Sequence, residues 1–124
     1  MNQHRKRVLI VDDDEEILES TSVALQERGY EVITARDGSQ ALMRAERDLP
    51  DLIILDIVMP KRSGLWVLKQ LRRGNSRLPR ILVITGNPDA RHQEFAEAQG
   101  ADAFLRKPFD IDLLLTQVDK LVHD

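Results

Sequence analysis

Five short apolar runs, each followed by a stretch of helical periodicity, constrain this chain more than any other feature. The runs are Arg7–Val11 (RVLIV), Glu31–Ala35 (EVITA), Leu52–Asp56 (LIILD), Arg80–Thr85 (RILVIT) and Ala103–Arg106 (AFLR). Residues 15–28 place Ile17, Leu18, Thr21, Ala24 and Leu25 on one helical face, and Gly29 follows as a stop. A DGS turn then offers Ser39 as the cap of a helix over residues 40–47. Helices are also predicted over 63–73, 89–99 and 110–123. The fourth has a weak apolar face, chiefly Ala90, Phe95, Ala96 and Ala98. The last is strongly periodic at Ile111, Leu114, Leu115, Val118, Leu121 and Val122. Strand–helix alternation repeated five times predicts an α/β fold, a parallel sheet covered on both faces. The first, third and fourth runs are the most apolar and belong in the centre. The second and fifth suit the edges. This is the doubly wound order 2-1-3-4-5.

A length of 124 residues suits a single domain, 1–124, with a real core, and no linker or internal repeat divides it. The net charge of −3 supplies no basic field for a nucleic acid backbone, so direct nucleic acid binding is not expected. The chain has no cysteine, which excludes disulfides, thiol catalysis and Cys-ligated metals and points to a reducing compartment. The apolar segment near the N-terminus, Val8 to Val11, is too short for a signal peptide or a membrane span. A cytoplasmic protein without membrane association is the expectation.

In a doubly wound sheet, ligands bind outside the carboxyl ends of the strands. The first strand delivers Asp12, Asp13 and Asp14 there, and the third delivers Asp56. The fourth delivers Thr85 and the fifth Arg106, Lys107 and Pro108. Clustered carboxylates repel, so a cation must intervene or a proton must be taken up. No His lies near a strand end, and oxygen-only donors select a hard ion such as Mg²⁺. A divalent ion beside a lysine suits a phosphoryl group, whose transfer depends on positioning and charge neutralisation. Asp56 is then the candidate nucleophile, forming an aspartyl-phosphate.

The same residues have structural explanations. Asp13 with Glu16 has capping-box spacing, and Asp14 suits the start of the first helix. Thr85 reads equally as an ordinary strand threonine, Lys107 as a surface lysine and Phe104 as core. Trp66 reads as packing. His4, His92 and His123 have no metal-site partner at helical spacing.

The fragments LIVDDDEEIL, PDLIILDIVMPKRSGL, ILVITG and GADAFLRKPF, in this order, resemble the receiver domain of two-component response regulators. The resemblance implies that Asp12 and Asp13 hold Mg²⁺, Asp13 more directly, and that the Val58 backbone carbonyl completes the metal shell. It implies that Asp56 is the phosphoacceptor and that Thr85 and Lys107 bind the phosphoryl oxygens. Phe104 matches the aromatic switch position, and the Lys107–Pro108 bond is implied to be cis. The donor implied is a phosphohistidine on a sensor histidine kinase or phosphotransfer protein. The response implied is a change in the surface of the fourth helix, fifth strand and fifth helix, read by a downstream output protein or domain or by a phosphorylation-dependent homodimer. Such a chain catalyses only its own phosphorylation and dephosphorylation.

Two other readings compete. A haloacid-dehalogenase-like Mg²⁺-dependent phosphatase needs a second aspartate two residues after the nucleophile, where this chain has Val58. A receiver-like interaction module that is never phosphorylated would not need the intact acidic set, Thr85 and Lys107. An NTPase lacks its Gly-rich phosphate loop after the first strand. Val58 and Asn87 match the positions at which the family tunes dephosphorylation, and an apolar Val58 predicts a long-lived phosphoryl group. Because the sequence stops after the fifth helix, output is expected through a separate partner, or the chain is a fragment of a larger regulator.

Overall fold

Alternate residues of three largely apolar strands face two separate cores, and this sets the layering of the molecule. The computed structural model describes residues 5–58, 63–73, 79–86 and 90–123. Strands β1 (Arg7–Val11), β2 (Glu31–Ala35), β3 (Leu52–Asp56), β4 (Arg80–Thr85) and β5 (Ala103–Arg106) form one parallel sheet in the order β2-β1-β3-β4-β5. On one face, Val8, Ile10, Leu52, Ile54, Leu82 and Ile84 pack against helices α1 (Glu15–Glu27) and α5 (Ile111–His123). On the other, Leu9, Val11, Ile53, Leu55, Ile81 and Val83 meet α2 (Gly38–Asp48), α3 (Gly64–Leu71) and α4 (Ala90–Ala98). The period-2 alternation of strand side chains makes both faces apolar. The central placement of β1, β3 and β4 follows, because only a fully covered strand keeps such a run from water. The edge strands β2 and β5 are only partly buried, matching their mixed sequences.

The helix boundaries differ from the sequence reading where a side chain other than the expected one takes the cap. Asp37, not Ser39, caps α2, accepting a bond from the Gln40 amide, so the helix starts earlier, at Gly38. Helix α1, by contrast, starts at Glu15 with Asp14 as its cap, as read, the carboxylate accepting from the amides of Glu16 and Ile17. Ser63 precedes α3 as its cap and α3 ends at Leu71. Gly29 follows α1 at φ +97°, a conformation that stops the helix cheaply only for glycine.

At Gly64 the close approach of two backbones requires a missing side chain. Its amide donates to the Ile57 carbonyl at 2.8 Å. A Cβ there would lie 2.1 Å from the Asp56 carbonyl oxygen and 2.6 Å from the Ile57 Cα. Helix α3 thus presses its first residue onto the end of β3, directly behind Asp56. Both obstacles are backbone, so a methyl group must push the helix away. Gly64→Ala is expected to destabilise the fold by about 3 kcal/mol, the upper range for overpacking. Urea denaturation would measure this, and a loss below about 0.5 kcal/mol, the range of an ordinary surface substitution, would show that the contact is not tight.

Candidate functional site

Three strand ends deliver the acidic and basic groups to one place. Asp12 follows β1, held by a bond from its amide to the Ala35 carbonyl of β2 at 3.1 Å. Asp56 ends β3, and the next amide, Ile57, donates to Ile84 of β4 at 3.0 Å. Lys107 follows β5, its amide donating to the Thr85 carbonyl at 2.8 Å. Asp12, Asp56 and Thr85 are buried, Asp56 with only 3% of its surface exposed, whereas Asp13 is exposed at the mouth.

The two buried carboxylates are used alike. Each turns Oδ1 back to the amide two residues on: Asp14 N–H to Asp12 at 2.9 Å and Val58 N–H to Asp56 at 3.0 Å. Each directs Oδ2 to the Lys107 ammonium, 2.7 Å from Asp12 and 3.1 Å from Asp56. Both contacts are ion pairs, and the one to Asp56 also meets the geometry of a directed hydrogen bond. Among the described residues Asp12 Oδ2 is therefore buried without a directed hydrogen bond.

Burial, and then the neighbouring Asp12 charge, push the Asp56 carboxyl up to about 6, against the opposing pull of Lys107 and the Val58 amide. Burial also works against the Lys107 ammonium, but its bonds to Asp12 and Asp56 outweigh this and hold its pKa above the ordinary lysine value. The site accordingly keeps its cation while its central carboxylate holds its proton more tightly than an ordinary aspartate.

Thr85 and Phe104 lie on the same face of the sheet, since Phe104 is in register with Val83, two residues before Thr85. Phe104 is partly buried against the α2–α4 side of the core. Val58 turns outward, 56% exposed. The Lys107–Pro108 bond is cis. Asn87 lies outside the described residues. The structure thus brings together Asp12, Asp13, Asp56 and Lys107, with carboxylate oxygens of the three acids within 4.8 Å of one another. Reading the sequence missed two contributors, the Asp14 and Val58 amides that orient the acids. An aspartate two residues before a turn amide is their only sequence signal.

A family model for the response regulator receiver domain matches residues 8–119, and the chain belongs to that family. It is 42% identical over 104 residues to the alkaline phosphatase synthesis transcriptional regulatory protein PhoP of Bacillus subtilis, covering 84% of this chain and 43% of that protein. It is 40% identical over 117 residues to response regulator MprA of Mycobacterium leprae, covering 94% and 51%. The chain therefore spans about half the length of the curated relatives it matches. Among solved structures, it resembles chemotaxis response regulator CheY4 of Vibrio cholerae, with 34% identity, 95% and 99% coverage and a TM-score of 0.87. A receiver domain protein from Methanospirillum hungatei JF-1 matches at 31% identity, 97% and 95% coverage and a TM-score of 0.91. These confirm the receiver fold. Because one relative is named a transcriptional regulatory protein, the expectation of no nucleic acid partner is left without support. No helix among the described residues is long and apolar enough to cross a membrane.

The raised Asp56 value fixes the sign of a pH effect. Its ordinary value is about 4, so between about 4 and 6 the folded chain binds more protons than the unfolded one. This group's stabilisation is present in acid and is lost as the pH rises through about 6. In chelator, from about pH 4.5 to 7.5, wild type is expected to lose about 2 kcal/mol relative to Asp56→Asn, which has no such proton to lose. Urea melts across this range measure the difference, and a pH-independent difference would contradict the environment described for Asp56.

Proposed function

We propose that the chain is a phosphorylation switch of a two-component system in the cytoplasm, with Asp56 as phosphoacceptor. The observation that supports this best is the meeting of Asp12, Asp13, Asp56 and Lys107 from three strand ends around a buried carboxylate. The donor set also fits Mg²⁺: it is all oxygen, its atoms lie within 4.8 Å, and Asp12 Oδ2 is buried with bonding capacity to spare. Asp13, Asp56 and the Val58 carbonyl would hold the ion, with Asp12 partly through water. When bound it would neutralise charge between the incoming phosphoryl group and Asp56.

At neutral pH Asp56 is mostly ionised and its oxygen attacks the phosphorus of a kinase phosphohistidine. The O–P bond forms as the N–P bond breaks, and the departing imidazole takes the electron pair and a solvent proton. Lys107, already 3.1 Å from Asp56, neutralises the phosphoryl oxygens as they arrive. The Thr85 hydroxyl donates to one of them. Phe104, on the same sheet face, then moves towards the space Thr85 leaves, and the α4–β5–α5 surface changes for a downstream output protein, domain or second copy. The bias arises because the phosphoryl group has partners in only one of the two states.

Incubation with Mg²⁺ and acetyl phosphate is expected to add one phosphoryl group, located on Asp56 by mass spectrometry. Asp56→Ala or excess chelator abolishes the adduct, and Asp13→Ala lowers its rate by at least about tenfold, the scale of losing a metal-shell group. Turnover of many phosphoesters would instead favour a phosphatase, and no adduct a silent module. The Val58 side chain offers no polar group to orient an attacking water and is 56% exposed. The aspartyl-phosphate is therefore expected to persist for minutes or longer, and decay within seconds would refute that role for Val58.

A further inference from the structure

The first amides of a helix have no partner within it. Helix α3 places two of them close behind Asp56. The Trp66 amide goes to the hydroxyl of Ser63, the cap of the helix. The Gly64 amide, the first in the helix, points away from it and donates to the Ile57 carbonyl at 2.8 Å. That carbonyl belongs to the same peptide unit as the Val58 N–H, which donates to Asp56 Oδ1 at 3.0 Å. One rigid peptide plane is therefore gripped at both ends, on its oxygen side by α3 and on its nitrogen side by the Asp56 carboxylate. The preceding amide, Ile57 N–H, bonds to Ile84 of β4 at 3.0 Å, which ties the plane to the sheet as well. The reach of Gly64 depends on its having no side chain, since a Cβ there would run into the Asp56 carbonyl oxygen and the Ile57 Cα.

We propose that Gly64 is a positioning residue for Asp56, acting through the Ile57–Val58 peptide. A carbonyl that accepts a hydrogen bond polarises its peptide, and the N–H at the other end becomes a stronger donor. Gly64 thus sets both the angle and the strength of the bond that holds Oδ1. With Oδ1 held, the plane of the carboxylate is fixed, and with it the line along which the carboxylate meets a phosphorus atom. A misplacement of about 1 Å near reacting groups can cost on the order of a hundredfold in rate, so one methyl group that pushes α3 back is enough to matter. This role presupposes Asp56 as the phosphoacceptor, whereas the hydrogen-bond relay that carries it does not.

Two measurements on Gly64→Ala separate positioning from a loss of stability alone. The first is amide hydrogen exchange by NMR in chelator, with neither metal nor phosphodonor added. The Val58 amide is expected to exchange about tenfold faster than in wild type, the scale of one lost hydrogen bond. The Asp14 amide, which makes the matching bond to Asp12, is expected to be unchanged. The second is the rate of adduct formation from acetyl phosphate at saturating Mg²⁺, counted per folded molecule, which is expected to fall at least about tenfold. Leu25→Ala removes a fully buried side chain from α1. It costs comparable stability through a cavity and is expected to keep the wild-type rate within about twofold. Ser63→Ala, made in case Gly64→Ala does not fold, removes the cap that seats the start of α3 and gives a smaller acceleration at the Val58 amide. A Val58 amide unaltered in the folded variants would overturn the relay. A faster Val58 amide with a wild-type rate of adduct formation, or an equal slowing in Leu25→Ala, would overturn the positioning role. No adduct on wild type would count against the phosphoacceptor reading alone, since the amide comparison decides the relay without it.

Discussion

The Lys107 ammonium between Asp12 and Asp56 is the interaction on which this structure turns. Two carboxylates at the tips of adjacent buried strands, β1 and β3, would otherwise face each other in a medium that screens charge poorly. One cation delivered from β5 makes the pair tolerable. It does not cancel the strain entirely, since Asp56 still holds its proton more tightly than an ordinary aspartate. A group kept in that condition is responsive: a divalent ion or a phosphoryl group alters the local charge balance enough to matter.

The rest of the fold serves to hold those tips still. Buried parallel strands fix the spacing of Asp12 and Asp56, and the amides of Asp14 and Val58 fix their rotation. Behind Asp56, Gly64 lets α3 close directly on the backbone. Rigidity there contrasts with α4, where Ala96 alone among the described side chains is buried. A stiff site beside a weakly held helix is a sensible division for a switch, because a small change in charge can be spent on moving one element.

Much of this was legible in the sequence for a simple reason. The apolar runs of β1, β3 and β4 against the mixed β2 and β5 encode strand order through burial. Strand order then says which ends meet, so Asp12, Asp56 and Lys107 could be gathered before any coordinates. Local competition was harder to read. Asp37 and Ser39 are both good caps, and only the course of the chain out of β2 decides that Asp37 takes the role. Long-range backbone contacts left no pattern at all. Gly64 looks like any glycine near a turn, and Arg72 like any arginine late in a helix, until Asp56, Gly100 and Asp102 come beside them.

The central claim is that side chains from separate strands share one magnesium ion and present Asp56 to phosphorus. A crystal structure grown with Mg²⁺ and beryllofluoride tests it most directly. The expected result is beryllofluoride on the Asp56 carboxylate, the ion ligated by Asp13, Asp56 and the Val58 carbonyl, and Lys107 and Thr85 bonded to fluorine atoms. A fluoride adduct on another residue, or a magnesium ion bound away from Asp13 and Asp56, would contradict it.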